Sequence, residues 1–269
     1  MTTRSAGVRS PIVDRRRPMP DRYSLSSAMY PVILRIGTFE ITSFGVMAGL
    51  GILVGWWIFS RELARSGLPE EAGNAAVAGA IGGLIGAKLL WTAEHLGEDA
   101  FFSLLFSRGG LSWFGGFVGG IGTGLVVMRR HRWPVIATLA AATPALAVGH
   151  AIGRVGCFLV GDDYGRPSNL PWAVAFPQGL PPTVVRVHPT QLYEAAGLLL
   201  LAWLLIRWRR ARVADVSVLG RYLVLSGALR FAIEFIRINE RVVFGMSLAQ
   251  LVAAAVIVAG FVVVRKRPV

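Results

Sequence analysis

Arg230 and Glu234 sit where a charge is expensive. The run RYLVLSGALRFAIEFIR (221–237) is apolar enough to cross a bilayer, yet it carries these two residues four positions apart. That spacing places them on one face of a helix, where they can pair. Ionisable side chains inside membrane segments are rare, face the bundle interior and mark functional sites, although an ion pair that only holds the bundle would also account for them. Upstream, GRVGCFLVGDDYGRPSNLPW (153–172) holds Arg154, Asp162, Asp163 and the sole cysteine, Cys157. Arg154 falls just beyond an apolar run, at a depth similar to that of Arg230. Two arginines and an acid at one depth form a pocket for an anionic headgroup, because a guanidinium offers phosphate a bidentate fork.

A third stretch, VHPTQLYEA (187–195), adds His188, Gln191, Tyr193 and Glu194 around a proline that can open a helix. The free N–H groups and positive dipole end of such a helix suit a phosphate ligand. Asp162 and Asp163 either orient the arginines or form a solvated turn, and for Asp163 the solvated turn is the expectation. Cys157 is expected to be a small buried filler rather than a nucleophile. One cysteine excludes an internal disulfide, and His95, His131, His150 and His188 show no ligand spacing. No metal site is expected.

These residues need a scaffold, and the composition indicates which kind. The chain is 54% hydrophobic and only 16% charged, against roughly a quarter charged in ordinary soluble domains. Apolar runs near 43–59, 74–93, 113–128, 135–152, 190–206, 218–236 and 247–264 each approach the roughly 17–25 residues of a spanning helix. The expectation is an all-α, polytopic membrane protein of about seven transmembrane helices in one compact bundle. Spans two to four are rich in glycine and alanine, which lets membrane helices approach closely. Lys88 lies within span two and must face the interior or snorkel. The connection 153–189 is too long to be structureless and is expected to be an ordered outer-face loop, partly β.

The net charge of +13 is distributed by topology. Arg61, Arg65, Arg129, Arg130, Arg132, Arg207, Arg209, Arg210, Arg212, Arg265, Lys266 and Arg267 all fall on one side if seven spans alternate. By the positive-inside rule the C-terminus is then cytoplasmic. The charge reads as membrane topology, so nucleic acid is not an expected partner. Residues 1–30 contradict the pattern, with Arg4, Arg9, Arg15, Arg16, Arg17 and Arg22 on the outer side. They read as a basic disordered arm or as a start assigned before Met19 or Met29, which leaves 31–269 as a single domain.

The order GRVGCFLVGDDYGR, LPWAVAFP, HPTQLYEA and LRFAIEFIR resembles the prolipoprotein diacylglyceryl transferase family. IGTFEITSFGVMAGLG at the first span and GGLSWFGGFVGG at the third also fit its pattern, so the resemblance runs from about Pro31 to the last span. It implies a bacterial inner-membrane enzyme, expected to act as a monomer without metal or organic cofactor. Such an enzyme moves the diacylglyceryl group of phosphatidylglycerol to the lipobox cysteine of a prolipoprotein, forming a thioether and releasing glycerol phosphate. Carried over by motif, Arg154 meets the phosphatidylglycerol headgroup, Gly165 is the glycine after the acids, and Asp162 stands where better-known members have Glu. Arg230 and Glu234 are the span-six pair, and His188 is the nearest candidate base. Gln191, Tyr193, Glu194, Gly115 and Gly116 are expected to line the substrate site. Three positions depart from the pattern: Phe44 replaces a tyrosine, Phe114 a histidine and Cys157 an asparagine. Either the chain is a divergent transferase, or it keeps the lipid pocket as a non-catalytic phospholipid binder or carrier.

Overall fold

The computed structural model describes residues 30–265 apart from 38, 108 and 109. The basic stretch 1–29, Arg108, Gly109, Lys266 and Arg267 lie outside the described residues, and with them the expectation of a basic arm or later start. A short hairpin, β1 (Val32–Ile36) and β2 (Phe39–Thr42), leads into α1 (Ser43–Arg65). Thr42 starts that helix by accepting a hydrogen bond from the Gly45 N–H at 3.1 Å, the usual service of a threonine N-cap. Then follow α2 (Asn74–Glu94), the one-and-a-half-turn α3 (Phe101–Phe106), α4 (Trp113–Arg130) and α5 (Val135–Val160). A second hairpin, β3 (Val174–Phe176) and β4 (Thr183–Val187), precedes α6 (Thr190–Arg210), α7 (Asp215–Ile233) and α8 (Leu248–Arg265).

The described residues thus form a helical bundle with two small β hairpins, and the long connection after α5 is ordered and partly β. Among the described residues, six helices are long and apolar enough to cross a membrane. The expected third span forms as α4, but six glycines and the closing Arg129-Arg130 dilute it, and it is not among those six. Two boundaries also move. Helix α5 continues to Val160, so Arg154 lies within it rather than beyond it. Helix α7 runs from Asp215 and stops at Ile233 with Glu234 as its C-cap, three residues short of the expected end at 236, so the pair Arg230–Glu234 closes the helix.

Helices α5, α6 and α7 form the centre, with α1 packed on α5, α2 on α4 and α8 on α7. The buried face of α5 is built from alanines, such as Ala140, Ala141 and Ala147, which lets neighbours come close. The α2–α4 seam is tighter still. A Cβ at Gly115 would collide with the Gly86 carbonyl and sit 2.7 Å from Leu90 Cβ. Lys88, at the outer end of α2, donates from Nζ to the Ser107 carbonyl and hydroxyl at 3.0 and 2.9 Å and lies over Trp91.

The arginine-rich helix ends gather at one end of the bundle. Arg209 at the end of α6 meets Glu62 near the end of α1 at 2.6 Å and Asp215 at the start of α7 at 3.2 Å. Trp133, in the α4–α5 turn, packs against the same end of α1 at Phe59 and Leu63. The opposite ends of α6 and α7 carry the candidate site.

Candidate functional site

The site is built where α5 and α7 end and α6 begins, and the α5–α6 connection closes over it. Gly161 ends α5 in the left-handed region, φ 76°, which spares the helix end the penalty a side chain would meet there. The loop then runs between two helix termini. Gly165 donates its N–H to the His188 carbonyl, and Arg166 donates to the Ile236 carbonyl, both at 2.9 Å. No side chain fits at Gly165: a Cβ would lie 2.7 Å from Thr190 Cγ2 and 2.9 Å from both His188 Cβ and the Ile236 carbonyl oxygen. Tyr164 stacks on Phe176, which anchors the segment on the β3–β4 hairpin.

This clamp aims Asp163 inward. Six charges then alternate in a closed ring. Arg154 pairs with Asp163 at 2.8 Å and with Glu194 at 3.0 Å. Arg230 pairs with Glu194 at 3.6 Å and with Glu234 at 3.1 Å. Arg237 closes the circuit, 3.8 Å from Glu234 and in contact with Asp163. Three guanidiniums balance three carboxylates, and Glu194 and Glu234 are 2% and 0% exposed. Burying so much charge is tolerable only because each group is paired. The pairing is electrostatic more than directional: among the described residues Arg154 Nε and Arg230 Nη1 have no hydrogen-bond partner. Both nitrogens face Glu194 Oε2, at 3.0 and 3.6 Å, so charge rather than hydrogen-bond geometry holds them.

A cavity of about 810 Å³ opens from this ring and runs down between the helices. Its polar end holds Arg154, Glu194, Arg230 and Glu234, and its apolar wall includes Leu198, Val252 and Val256. A phosphate headed by two acyl chains has that distribution of polar and apolar surface. Asp163 responds to both its burial and its partners. Burial pushes its carboxyl up, but Arg237 and Arg154 outweigh that and hold it below the ordinary carboxylate value. Burial dominates at Asp162, whose carboxyl is pushed up.

Several sequence expectations change in place or partner. Asp163 does lie exposed on a turn, at φ 60°, and it is also a member of the ring. Asp162 does not line the cavity, and its carbonyl accepts from the Gln191 side chain. The start of α6 is covered rather than open to a phosphate: Thr190 and Gln191 are both 1% exposed, and Thr190 Oγ1 donates to the Asp163 carbonyl at 2.8 Å. His188 and Tyr193 do not line the cavity. Tyr193 Oη takes a hydrogen bond from Trp172 at 2.7 Å, with His188 Nδ1 3.3 Å away. Gly115 and Gly116 face α2, because their Cβ positions would meet Gly86 and Ala87, and it is Phe114 and Phe117 that line the cavity from α4. Phe44 lies against Gly156, the neighbour of buried Cys157.

Sequence reasoning missed Arg237 and His150 as site residues. Arg237 follows Glu234 by three residues, and His150 precedes Arg154 by four, so helical spacing carried both signals. A metal does not fit. The grouping of possible donors among the described residues is Cys157, Asp162 and Asp163, within 4.8 Å of one another. Both carboxylate oxygens of Asp163 already serve Arg154 and Arg237.

Comparison with known proteins finds relatives along most of the chain. The family model described as prolipoprotein diacylglyceryl transferase matches residues 31–265. Phosphatidylglycerol--prolipoprotein diacylglyceryl transferases are among the relatives. That of Clostridium tetani is 30% identical over 217 residues, covering 79% of this chain and 87% of the relative. That of Geobacter sulfurreducens is 34% identical over 218 residues, 77% and 82% of the two chains. That of Rhodospirillum rubrum is 31% identical over 254 residues, 88% and 91%. The chain belongs to the prolipoprotein diacylglyceryl transferase family.

Proposed function

We propose that this chain transfers the diacylglyceryl group of phosphatidylglycerol to the lipobox cysteine thiol of a prolipoprotein in the bacterial cytoplasmic membrane. The observation that carries the reading is the ring of three arginines and three carboxylates at the polar end of a cavity whose wall also carries Leu198, Val252 and Val256. The lipid phosphate takes donors from Arg154 and Arg230, and the acyl chains follow Leu198, Val252 and Val256 into the bundle. The acceptor sulfur, as thiolate, attacks the glycerol carbon that carries the phosphate oxygen. A carbon–sulfur bond forms as the carbon–oxygen bond breaks, and glycerol phosphate departs with one more negative charge than the diester had. Arginines fixed beforehand by Glu194, Glu234 and Asp163 meet that charge without reorganising, which lowers the barrier.

Replacing Arg154 with Ala tests the clamp. Thioether formation on a lipobox peptide should fall about 100- to 1,000-fold, as when one donor to a developing anion is lost. Undiminished transfer by Arg154→Ala would remove Arg154 from this role. The C-terminus is cytoplasmic in this reading, α4 completes a seventh crossing, and the chain works as a monomer. A second reading, a phospholipid-binding or carrier protein on the same fold, is favoured by Phe44, Phe114 and Cys157, which remove a hydroxyl, an imidazole and an amide from the family pattern. Growth of a strain depleted of its own transferase separates the two, since a carrier does not restore lipoprotein maturation.

A further inference from the structure

A thiol attacks carbon only as its thiolate, so its proton must go to a base. An unperturbed thiol titrates near 8.5, and an effective base is one poised near neutral pH. The groups lining the cavity narrow the choice. Arg154 and Arg230 carry no lone pair to offer, and Glu194, Glu234 and Asp163 are committed to arginines. Glu240 is a solvent-exposed carboxylate, too weak a base for a thiol. Among the described residues the cavity holds one imidazole, that of His150. It stands one turn before Arg154 on α5, so both face the same side. Its side chain is half-exposed, and its Nε2 lies 3.7 Å from Glu194 Oε1. The same Glu194 holds Arg154 through its other oxygen. The sequence-based candidate, His188, does not line the cavity.

We propose that His150 is the general base of the transfer reaction, an inference that rests on the transferase reading above. With the Nε2 hydrogen directed to Glu194, Nδ1 presents its lone pair to the acceptor thiol. Nδ1 takes the thiol proton, and the imidazolium that results is stabilised by the Glu194 carboxylate. The sulfur forms its bond to the glycerol carbon, and the electron pair of the broken bond leaves on glycerol phosphate. The proton passes from His150 to that phosphate or to water, which restores the neutral ring. The charged groups facing His150 are Glu194 from α6, Arg154 from α5 and Arg230 from α7. Glu194 thereby serves three partners at once: it positions two phosphate-binding arginines and orients the base.

The test is steady-state transfer to a lipobox peptide in phosphatidylglycerol liposomes, across pH, for wild type and His150→Gln. The variant should lose about 100- to 10,000-fold in kcat, the usual worth of a general base. Its KM for phosphatidylglycerol should stay within about twofold, and the fall in kcat toward acid pH that wild type is expected to show should be absent. A kcat within about threefold of wild type, with that acid limb intact, overturns the proposal. If His150→Gln does not fold, His150→Ala assayed with added imidazole replaces it. Recovery of rate supports the role, and no recovery with lipid binding intact overturns it. Wild-type protein that binds the lipid but makes no thioether fails the transferase reading and this proposal together. Transfer that survives loss of His150 fails this proposal alone.

Discussion

Asp162 and Asp163 are neighbours in sequence with opposite electrostatic roles. Asp163 joins Arg154 and Arg237, which outweigh its burial and lower its carboxyl. Its stabilising contribution is complete above its ordinary value of about 3.9 and is lost only as pH falls below that, through the lowered native value. Asp162 has the reverse sign: burial raises its carboxyl, so its contribution is greatest in acid and declines as pH rises past about 3.9. Asp163→Asn leaves Arg237 without its nearest partner, a cost of about 1–3 kcal/mol at a buried donor. At pH 7 that variant should melt lower and lose most transfer activity, whereas Asp162→Asn should not melt lower than wild type. Thermal unfolding in detergent checks both, and a greater loss in Asp162→Asn would contradict the ring. Helical spacing made the Arg230–Glu234 pair legible in the sequence. Asp163 was not legible, because Gly165–His188, Arg166–Ile236 and Thr190–Asp163 bonds across distant segments decide where it points.

At the scale of elements, glycine separates packing from chemistry. Gly115 and Gly116 are adjacent, and both were expected at the substrate site. A methyl at Gly115 would overlap the Gly86 carbonyl, while one at Gly116 meets Ala87 Cβ at an ordinary 3.5 Å. Gly115→Ala should therefore destabilise the α2–α4 seam by about 1–3 kcal/mol, the usual cost of overpacking. Gly116→Ala should be close to neutral, and equal melting of the two variants would refute the seam. The bundle itself was legible because every apolar run became a helix, most within a few residues of its expected ends. The exceptions have local causes. Arg154 and Cys157 interrupted the apolar pattern of α5 without interrupting its helix, which continues to the left-handed Gly161. The β1–β2 hairpin lies before the first span and was not among the expected elements, although Gly37 turns at φ 59°.

For the whole molecule, the two ends of the bundle are chemically unlike. One gathers Arg65, Arg209 and the basic turns around buried Glu62, and the other carries the charge ring and its loop. The positive-inside rule puts the first end in the cytoplasm, so an alkaline phosphatase fusion at the C-terminus should be inactive and a fluorescent protein fusion bright. The opposite result would invert the topology and place the ring on the cytoplasmic side, away from a secreted acceptor. The family departures at Phe44, Phe114 and Cys157 make activity itself the central claim. Purified protein in phosphatidylglycerol liposomes, given a lipobox peptide, tests it directly by mass spectrometry. The account predicts a diacylglyceryl thioether on the peptide cysteine and glycerol phosphate in equal amount. An unmodified peptide beside intact phosphatidylglycerol would contradict it.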